Sequence, residues 1–514
     1  MKSKYLSVEN LTSPNAILFY LSIFKFLLVL IFAGNYGLFR DEYYYIACSK
    51  NLAWGFVDQP PFNALMLALS RMLFGESLLA IRILAYIAGA AIVFVSGLIT
   101  REFGGGKFAQ FLTGLTVIFS GVVLGNSGYF SMNVFDILFS SIMFYYLIKL
   151  LKTGNKKLWI TIGIICGVGL MNKLSFLFLG FGLVVGLLFT KNRKYFLTKE
   201  LWIGGAIAVL MFLPNVIWQI VNDFPTLEFM HNATMYKNTS MGIGDFAMGA
   251  LLELNPGYVL FVFTALYFLF INRAGREFAA IGWLFVSVFL VFVFNNGKPY
   301  YMGVLYPAML AAGIVGADCL IERYLRNWVR PLLLVLLIPS MAFVTPFAIP
   351  ILEVDTFVKY SEWLGIKPAS GERSELGILP QFYADRFGWE EMVQKVADVY
   401  NGLPDEEKKK ALIFGQNYGE AGAIDYYGKK YGLPQAISSH NNYALWGYPE
   451  EFDGSVLIVI GSNLEDNSGF FEEVKLAASH YNKYGMPFEN IDIFICRKPK
   501  MSFEEIWKRI KHFI

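Results

Sequence analysis

Apolar residues come in long runs from Ala16 to about Pro350 and in short ones beyond it. A bilayer core of roughly 30 Å needs about 20 apolar residues per helix. On that measure the pattern predicts about eleven membrane spans, near 16–34, 79–99, 108–126, 134–151, 158–171, 174–190, 201–221, 256–271, 278–295, 300–317 and 331–350. The predicted fold is mainly α, a polytopic helix bundle over residues 1–350. From Glu353 onward charges are frequent, as in Asp405-Glu406-Glu407-Lys408-Lys409-Lys410. Apolar runs shorten to 411–414, 456–460 and 491–496, with a helical stretch at 418–431. That alternation predicts a small α/β domain over 351–514.

Composition agrees with lipid as the main solvent: 56% of residues are hydrophobic, 17% aromatic and only 16% charged. The net charge of +3 is too small, and the basic residues too dispersed, for a nucleic-acid partner. Basic residues do choose a side of the membrane, because cytoplasmic loops retain them. One set of loops holds Lys2, Lys4, Arg101, Lys107, Lys149, Lys152, Lys156, Lys157, Lys191, Arg193, Lys194, Lys199, Arg273, Arg276, Arg323, Arg326 and Arg330; the opposite set is sparse. The N-terminus is therefore expected inside, and the C-terminal domain and the loops 35–78 and 222–255 outside. Lys25 and Arg82, inside spans, are expected to snorkel or to face a helix neighbour.

The outward loops carry the unusual acids. Phe39-Arg40-Asp41-Glu42-Tyr43-Tyr44-Tyr45 follows the first span, and Asp136 lies at the outer end of the fourth, a little inside the apolar run. Pairing of Arg40 with Asp41 or Glu42, and a helix-capping role for Asp136, are the structural alternatives. Lys173, in a tight outer turn, and Lys298, before Pro299-Tyr300-Tyr301, add cations at the same depth. Carboxylates and lysines at an outer membrane surface suit a reaction in which a base activates an acceptor while positive charge stabilises a leaving phosphate. The short apolar segment 62–74 is expected to lie in the interface, with Arg71 reaching headgroups.

In this order, Asp41-Glu42, the stretch Gly55-Phe56-Val57-Asp58-Gln59-Pro60-Pro61, Asp136, Asn172-Lys173 and Gly297-Lys298-Pro299-Tyr300-Tyr301 resemble the GT-C glycosyltransferases. The likeness is to the branch of protein O-mannosyltransferases and lipid A aminoarabinose transferases, over roughly residues 15–320. It implies transfer of a sugar from a polyprenyl-phosphate carrier to a membrane lipid, glycan or protein, on the extracytoplasmic face of the plasma membrane and with inversion. It further implies catalytic roles for Asp41 as general base, Glu42 beside it and Asp136. Arg40, Asp58, Lys173, Lys298, Tyr300 and Tyr301 fall on the substrate side. Asp58 stands where the aminoarabinose branch has a metal-holding Glu. Gln59 replaces that branch's Lys, and the chain's four histidines assemble no convincing ligand set, so a divalent metal is left open.

Two further stretches draw notice. Phe414-Gly415-Gln416-Asn417-Tyr418-Gly419-Glu420-Ala421 reads as a strand-to-helix turn, without a phosphate-binding glycine motif. The polar and aromatic loop 438–447 is the sort that stacks on sugars, and acceptor recognition or a lid is expected there; a lid is also expected of the loop 222–255. The rival readings are a lipid-linked sugar transporter or flippase, and a non-catalytic assembly subunit. The absence of an internal repeat and the clustering of acids at one face speak against the transporter.

Overall fold

A computed structural model describes residues 13–239, 241–368 and 372–514; Lys2 and Lys4 lie outside them. The chain forms two compact units. The first comprises residues up to Asn35, Phe74–Ile217 and Ser240–Glu353, and the second Tyr36–Leu73, Trp218–Thr239 and Val354–Ile514. The break at Glu353 lies near the expected boundary at 350, but parts of both long loops, 35–78 and 222–255, join the C-terminal residues.

The first unit is helical. Among the described residues six helices are long and apolar enough to cross a membrane: Pro14–Phe32, Leu78–Glu102, Met132–Thr153, Lys199–Val221, Arg276–Phe294 and Val329–Ala348.

 Two further pairs each pass together but are bent, Phe176–Leu188 with Lys191–Leu197 by 112° and Ile243–Leu254 with Pro256–Phe270 by 100°, which raises the number to as many as eight. The second bend has a local cause. Asn255 takes a positive φ of 148°, its side chain accepts from Gly257 N, and Pro256 has no N–H to continue the helix. Every expected span falls on helix, but besides the two in bent pairs three others are not continuous spans of the expected kind. The 108–126 segment is split into Lys107–Ile118 and Gly121–Asn126, the 158–171 segment is the short helix Leu158–Asn172, and 300–317 begins as the 3-10 turn Pro299–Val304 before Tyr306–Tyr324.

Close helix approach in this unit depends on small residues, as it does in membranes generally. A β-carbon on Gly163 would stand 2.2 Å from the Gly204 carbonyl oxygen. The charged residues of the spans are enclosed rather than snorkelling: Arg82 is fully buried and donates to the Ala33 carbonyl at 2.7 Å, and Lys25 is fully buried on its helix.

The second unit contains a five-stranded sheet. Its strands are β1 (Leu412–Gly415), β2 (Ala436–Ile437), β3 (Val456–Ser462), β4 (Phe471–Ser479) and β5 (Asp492–Pro499), in the order β2-β1-β3-β5-β4. β1 runs parallel to β2 and β3, while β5 is antiparallel to β3 and β4. Phe414, Leu457, Val459, Phe494, Phe503 and Trp507 are among the buried residues that make its core. The three apolar runs read from the sequence became β1, β3 and β5. β4 escaped that reading because it is an edge strand bearing Glu472, Glu473 and Lys475, largely exposed.

Candidate active site

The helix Arg40–Lys50 opens the candidate site in the second unit. Its first turn holds two acids, favourable beside the positive end of the helix dipole. They are used differently. Glu42 is fully buried and its Oε2 accepts from Phe39 N at 2.8 Å, so it caps the helix start. The Asp41 side chain remains 30% exposed, and its Oδ1 accepts from the Tyr418 hydroxyl at 2.9 Å. The Glu42 carboxylate is thus turned onto the backbone at the helix start, while that of Asp41 is left partly exposed.

Arg40 stands behind Asp41. Its Nε is 4.0 Å from Asp41 Oδ1 and its Nη1 3.7 Å from Asp385 Oδ1, and the Arg40 N–H donates to the Asp385 carbonyl at 2.9 Å. The guanidinium lies over the rings of Tyr418 and Phe488, at 5.7 and 5.5 Å from their centroids. Burial pushes the Asp385 carboxyl up to about 6, against the pull of Arg40. It likewise pushes Glu489 up to about 7, with Arg40 again opposing. One cation therefore serves several enclosed acids.

One turn further on, the Tyr44 hydroxyl bonds Asp58 Oδ1 at 2.9 Å and Asn442 Oδ1 at 3.1 Å. Asn442 Oδ1 also accepts from Val57 N at 2.6 Å, which fixes the loop carrying Asp58. Burial raises the Asp58 carboxyl to about 7; the Tyr44 hydrogen bond opposes the shift and the nearby Asp41 charge adds to it. Gln59 is buried and accepts from Asn63 Nδ2 at 2.8 Å, so it supports the start of the Phe62–Phe74 helix. Arg71, half-buried, donates from Nη1 to Ser49 Oγ at 2.8 Å, which ties the Phe62–Phe74 helix to Arg40–Lys50.

In the loop 438–447, Ser438, Ser439, His440, Asn441, Asn442 and Tyr443 are all buried, so this part of the loop is an internal support, while Leu445, Trp446 and Gly447 are half-buried. Tyr418, Asp385, Lys237 and Glu372 were missed as site residues. Tyr418 lies in the turn after β1 and Lys237 in the loop 222–255, both singled out by the sequence, whereas Asp385 and Glu372 lie in neither. Lys237 Nζ and Glu372 Oε1 are paired at 3.8 Å.

The resemblance implies a metal at Asp58, but the donors present do not fit one. Asp58 Oδ1 is engaged by Tyr44, and among the described residues no group of three or more His, Cys, Asp or Glu is disposed to hold an ion.

A second group of expected residues lies within the first unit. Lys173 follows the helix Leu158–Asn172; its Nζ donates to Asn133 Oδ1 at 2.6 Å and stands over the rings of Tyr301 and Tyr300, at 4.8 and 5.6 Å. Asp136 is buried in the Met132–Thr153 helix, and its Oδ2 accepts from Ser175 Oγ at 2.6 Å. Ser131, not Asp136, is that helix's N-cap. Asn172 Nδ2 donates to the Met132 carbonyl at 2.9 Å, tying the turn to the same helix end. Lys298 is the residue before the 3-10 turn Pro299–Val304 that carries both tyrosines.

Comparison with known proteins places this architecture. A family model described as dolichyl-phosphate-mannose-protein mannosyltransferase matches residues 58–218, which include Asp58, Asp136 and Lys173 but not Asp41. The undecaprenyl phosphate-alpha-4-amino-4-deoxy-L-arabinose arabinosyl transferase of Pseudomonas savastanoi pv. phaseolicola is 25% identical over 121 residues, 23% of this chain and 23% of that protein. The sequence match thus spans less than a quarter of that relative. ArnT from Cupriavidus metallidurans in the apo state has a TM-score of 0.60 at 13% identity, with 93% of this chain and 97% of that one covered. The same protein bound to undecaprenyl phosphate gives 0.59 at the same identity and coverage. The Archaeoglobus fulgidus oligosaccharyltransferase gives 0.54 at 11% identity, over 84% of this chain and 64% of that one. The chain shares the fold of these proteins, and its apolar helices make it a multi-pass membrane protein.

Proposed function

We propose that this protein is an inverting glycosyltransferase that moves a sugar from a polyprenyl-phosphate carrier to a lipid, glycan or protein acceptor. The reaction takes place on the extracytoplasmic face of the plasma membrane, with the N-terminus cytoplasmic and the C-terminal residues outside. The basic loops support that orientation, and the GT-C fold supports the reaction class. The observation that carries the reading is the setting of Asp41. One carboxylate oxygen is held by Tyr418, the side chain is partly exposed, and Arg40 stands behind it.

In the reaction, Asp41 takes the proton of the acceptor hydroxyl as that oxygen attacks the anomeric carbon. The bond from the anomeric carbon to the phosphate oxygen breaks, and the phosphate leaves with the electron pair. A phosphate is a stable anion, so no acid is needed at the leaving oxygen; a cation is. Lys173, with the faces of Tyr300 and Tyr301, supplies charge and apolar surface suited to the carrier phosphate, and Lys298 lies on the same turn as those tyrosines. Arg40 and Asp58 act on the substrate side as supports of Asp41, and Asp136 orders the turn that presents Lys173.

The test is transfer by the purified protein in detergent, with a panel of radiolabelled polyprenyl-phosphate sugars and lipid, glycan and peptide acceptors. Wild type should transfer from at least one donor, and Asp41→Asn, folded to the same extent, should lose at least ~100-fold, the scale of a removed general base. Equal transfer by both would remove Asp41 from that role.

A further inference from the structure

The turn after β1 supplies more than a connection. Asn417 caps the helix Tyr418–Tyr427, with its Oδ1 accepting from Gly419 N at 2.8 Å and Glu420 N at 3.1 Å. Glu420 Oε2 returns to Gln416 N at 2.6 Å, so the first residue of the helix has a defined direction. That residue is Tyr418. Its ring packs against Tyr44 and His440, each at 4.8 Å between centroids, with the Arg40 guanidinium over it. The Tyr418 N–H donates to His440 Nδ1 at 3.4 Å, so the imidazole proton sits on Nε2, facing the Ile514 carbonyl at 2.8 Å. A phenol has only two side-chain torsions; with ring and backbone both held, the hydroxyl has one place to be.

We propose that Tyr418 is a positioning residue for Asp41, so that the base which activates the acceptor is oriented by the C-terminal part of the chain. The inference rests on Asp41 being the general base. The hydroxyl donates to Oδ1, and among the described residues Oδ2 accepts no hydrogen bond, which leaves Oδ2 as the atom that takes the acceptor's proton. Without that bond the partly exposed carboxylate rotates about its own torsions, and the fraction of time it meets the acceptor hydroxyl in line falls. Binding of donor does not require the bond, so the effect falls on turnover.

Steady-state transfer by wild type, Tyr418→Phe and Asp41→Asn, all full-length in detergent, tests this. Tyr418→Phe should lower kcat on the order of 10- to 100-fold, as expected for a hydrogen bond to a charged group, with the donor KM within about twofold of wild type. It should also enlarge the solvent deuterium isotope effect on kcat, because proton abstraction becomes slower than the other steps, and lower the thermal unfolding midpoint by no more than the loss of one hydrogen bond, with the protein fully folded at the assay temperature. Wild-type kcat in Tyr418→Phe, with Asp41→Asn inactive, overturns the proposal while leaving the base reading intact. A kcat loss that only follows a loss of folded protein, with the isotope effect unmoved, overturns it as well. An active Asp41→Asn overturns the reading beneath it.

Discussion

Gly422 lies so close to Tyr43 that a β-carbon on it would stand 2.8 Å from the Tyr43 Cβ and 2.9 Å from its carbonyl carbon. Gly419, one turn earlier, is held as closely by Arg40, whose Cγ would be 2.5 Å away. These two positions let the Tyr418–Tyr427 helix lie against Arg40–Lys50. Gly422→Ala must part the two helices, since backbone is among the atoms it meets, and should cost about 1–3 kcal/mol, the range for overpacking. Thermal unfolding in detergent reads the cost, and transfer activity should fall with it as Tyr418 leaves Asp41.

Removing Arg40 should destabilise more than most single changes in this unit. Arg40→Met leaves the enclosed Asp385 and Glu489 without their cation, and breaking a buried pair on one side costs about 3–5 kcal/mol. The double change Arg40→Met with Asp385→Asn should recover part of that loss. A double-mutant cycle on the unfolding free energy measures the coupling, and strict additivity would mean that the two side chains do not sense each other.

The raised carboxyls make stability depend on pH in a definite direction. Asp58 and Glu489 titrate at about 7 and Asp385 at about 6 in the folded protein, chiefly through burial. The unfolded chain has about 3.9 for Asp and 4.3 for Glu. The folded state therefore holds these protons more tightly, and their contribution is fully present below about pH 4 and lost as pH rises through 6 and 7. The unfolding midpoint should fall across that window, and Asp58→Asn should flatten the fall. An unchanged slope in Asp58→Asn would place the proton uptake elsewhere.

Lys173 offers a test of the carrier side. Lys173→Met removes the charge above Tyr300 and Tyr301 while keeping the stem. Affinity for a polyprenyl phosphate, read by titration, should weaken on the order of 10- to 100-fold if the lysine bonds the phosphate. Lys173→Arg should retain part of the affinity, because the charge survives in a different shape.

Some of this molecule is written locally. Hydropathy is a sum over neighbouring residues, so the apolar runs identified the helices of the first unit, and the short runs at 411–414, 456–460 and 491–496 identified three strands. The same locality explains the misses at 108–126 and 300–317, where mean hydropathy stays high through breaks at Phe119–Ser120 and after Val304. The charged candidates Asp41, Asp58, Asp136 and Lys173 stand out in the sequence because charged side chains are costly beside lipid.

Their partners were not legible. Asp41 and Tyr418 are 377 positions apart, and nothing near either residue names the other. Adjacent acids of the same chemistry took opposite fates, Glu42 turned onto the Phe39 amide and Asp41 left partly exposed, and the polar residues 438–443 went inside, where Asn442 holds Val57 and Tyr44. The sequence by itself determined which segments leave water and which side chains carry charge, because burial of apolar surface is nearly additive along the chain. Only the tertiary structure decided which carboxylate is turned inward and which stays partly exposed, because a buried polar group must find a partner wherever the fold brings one within about 3 Å.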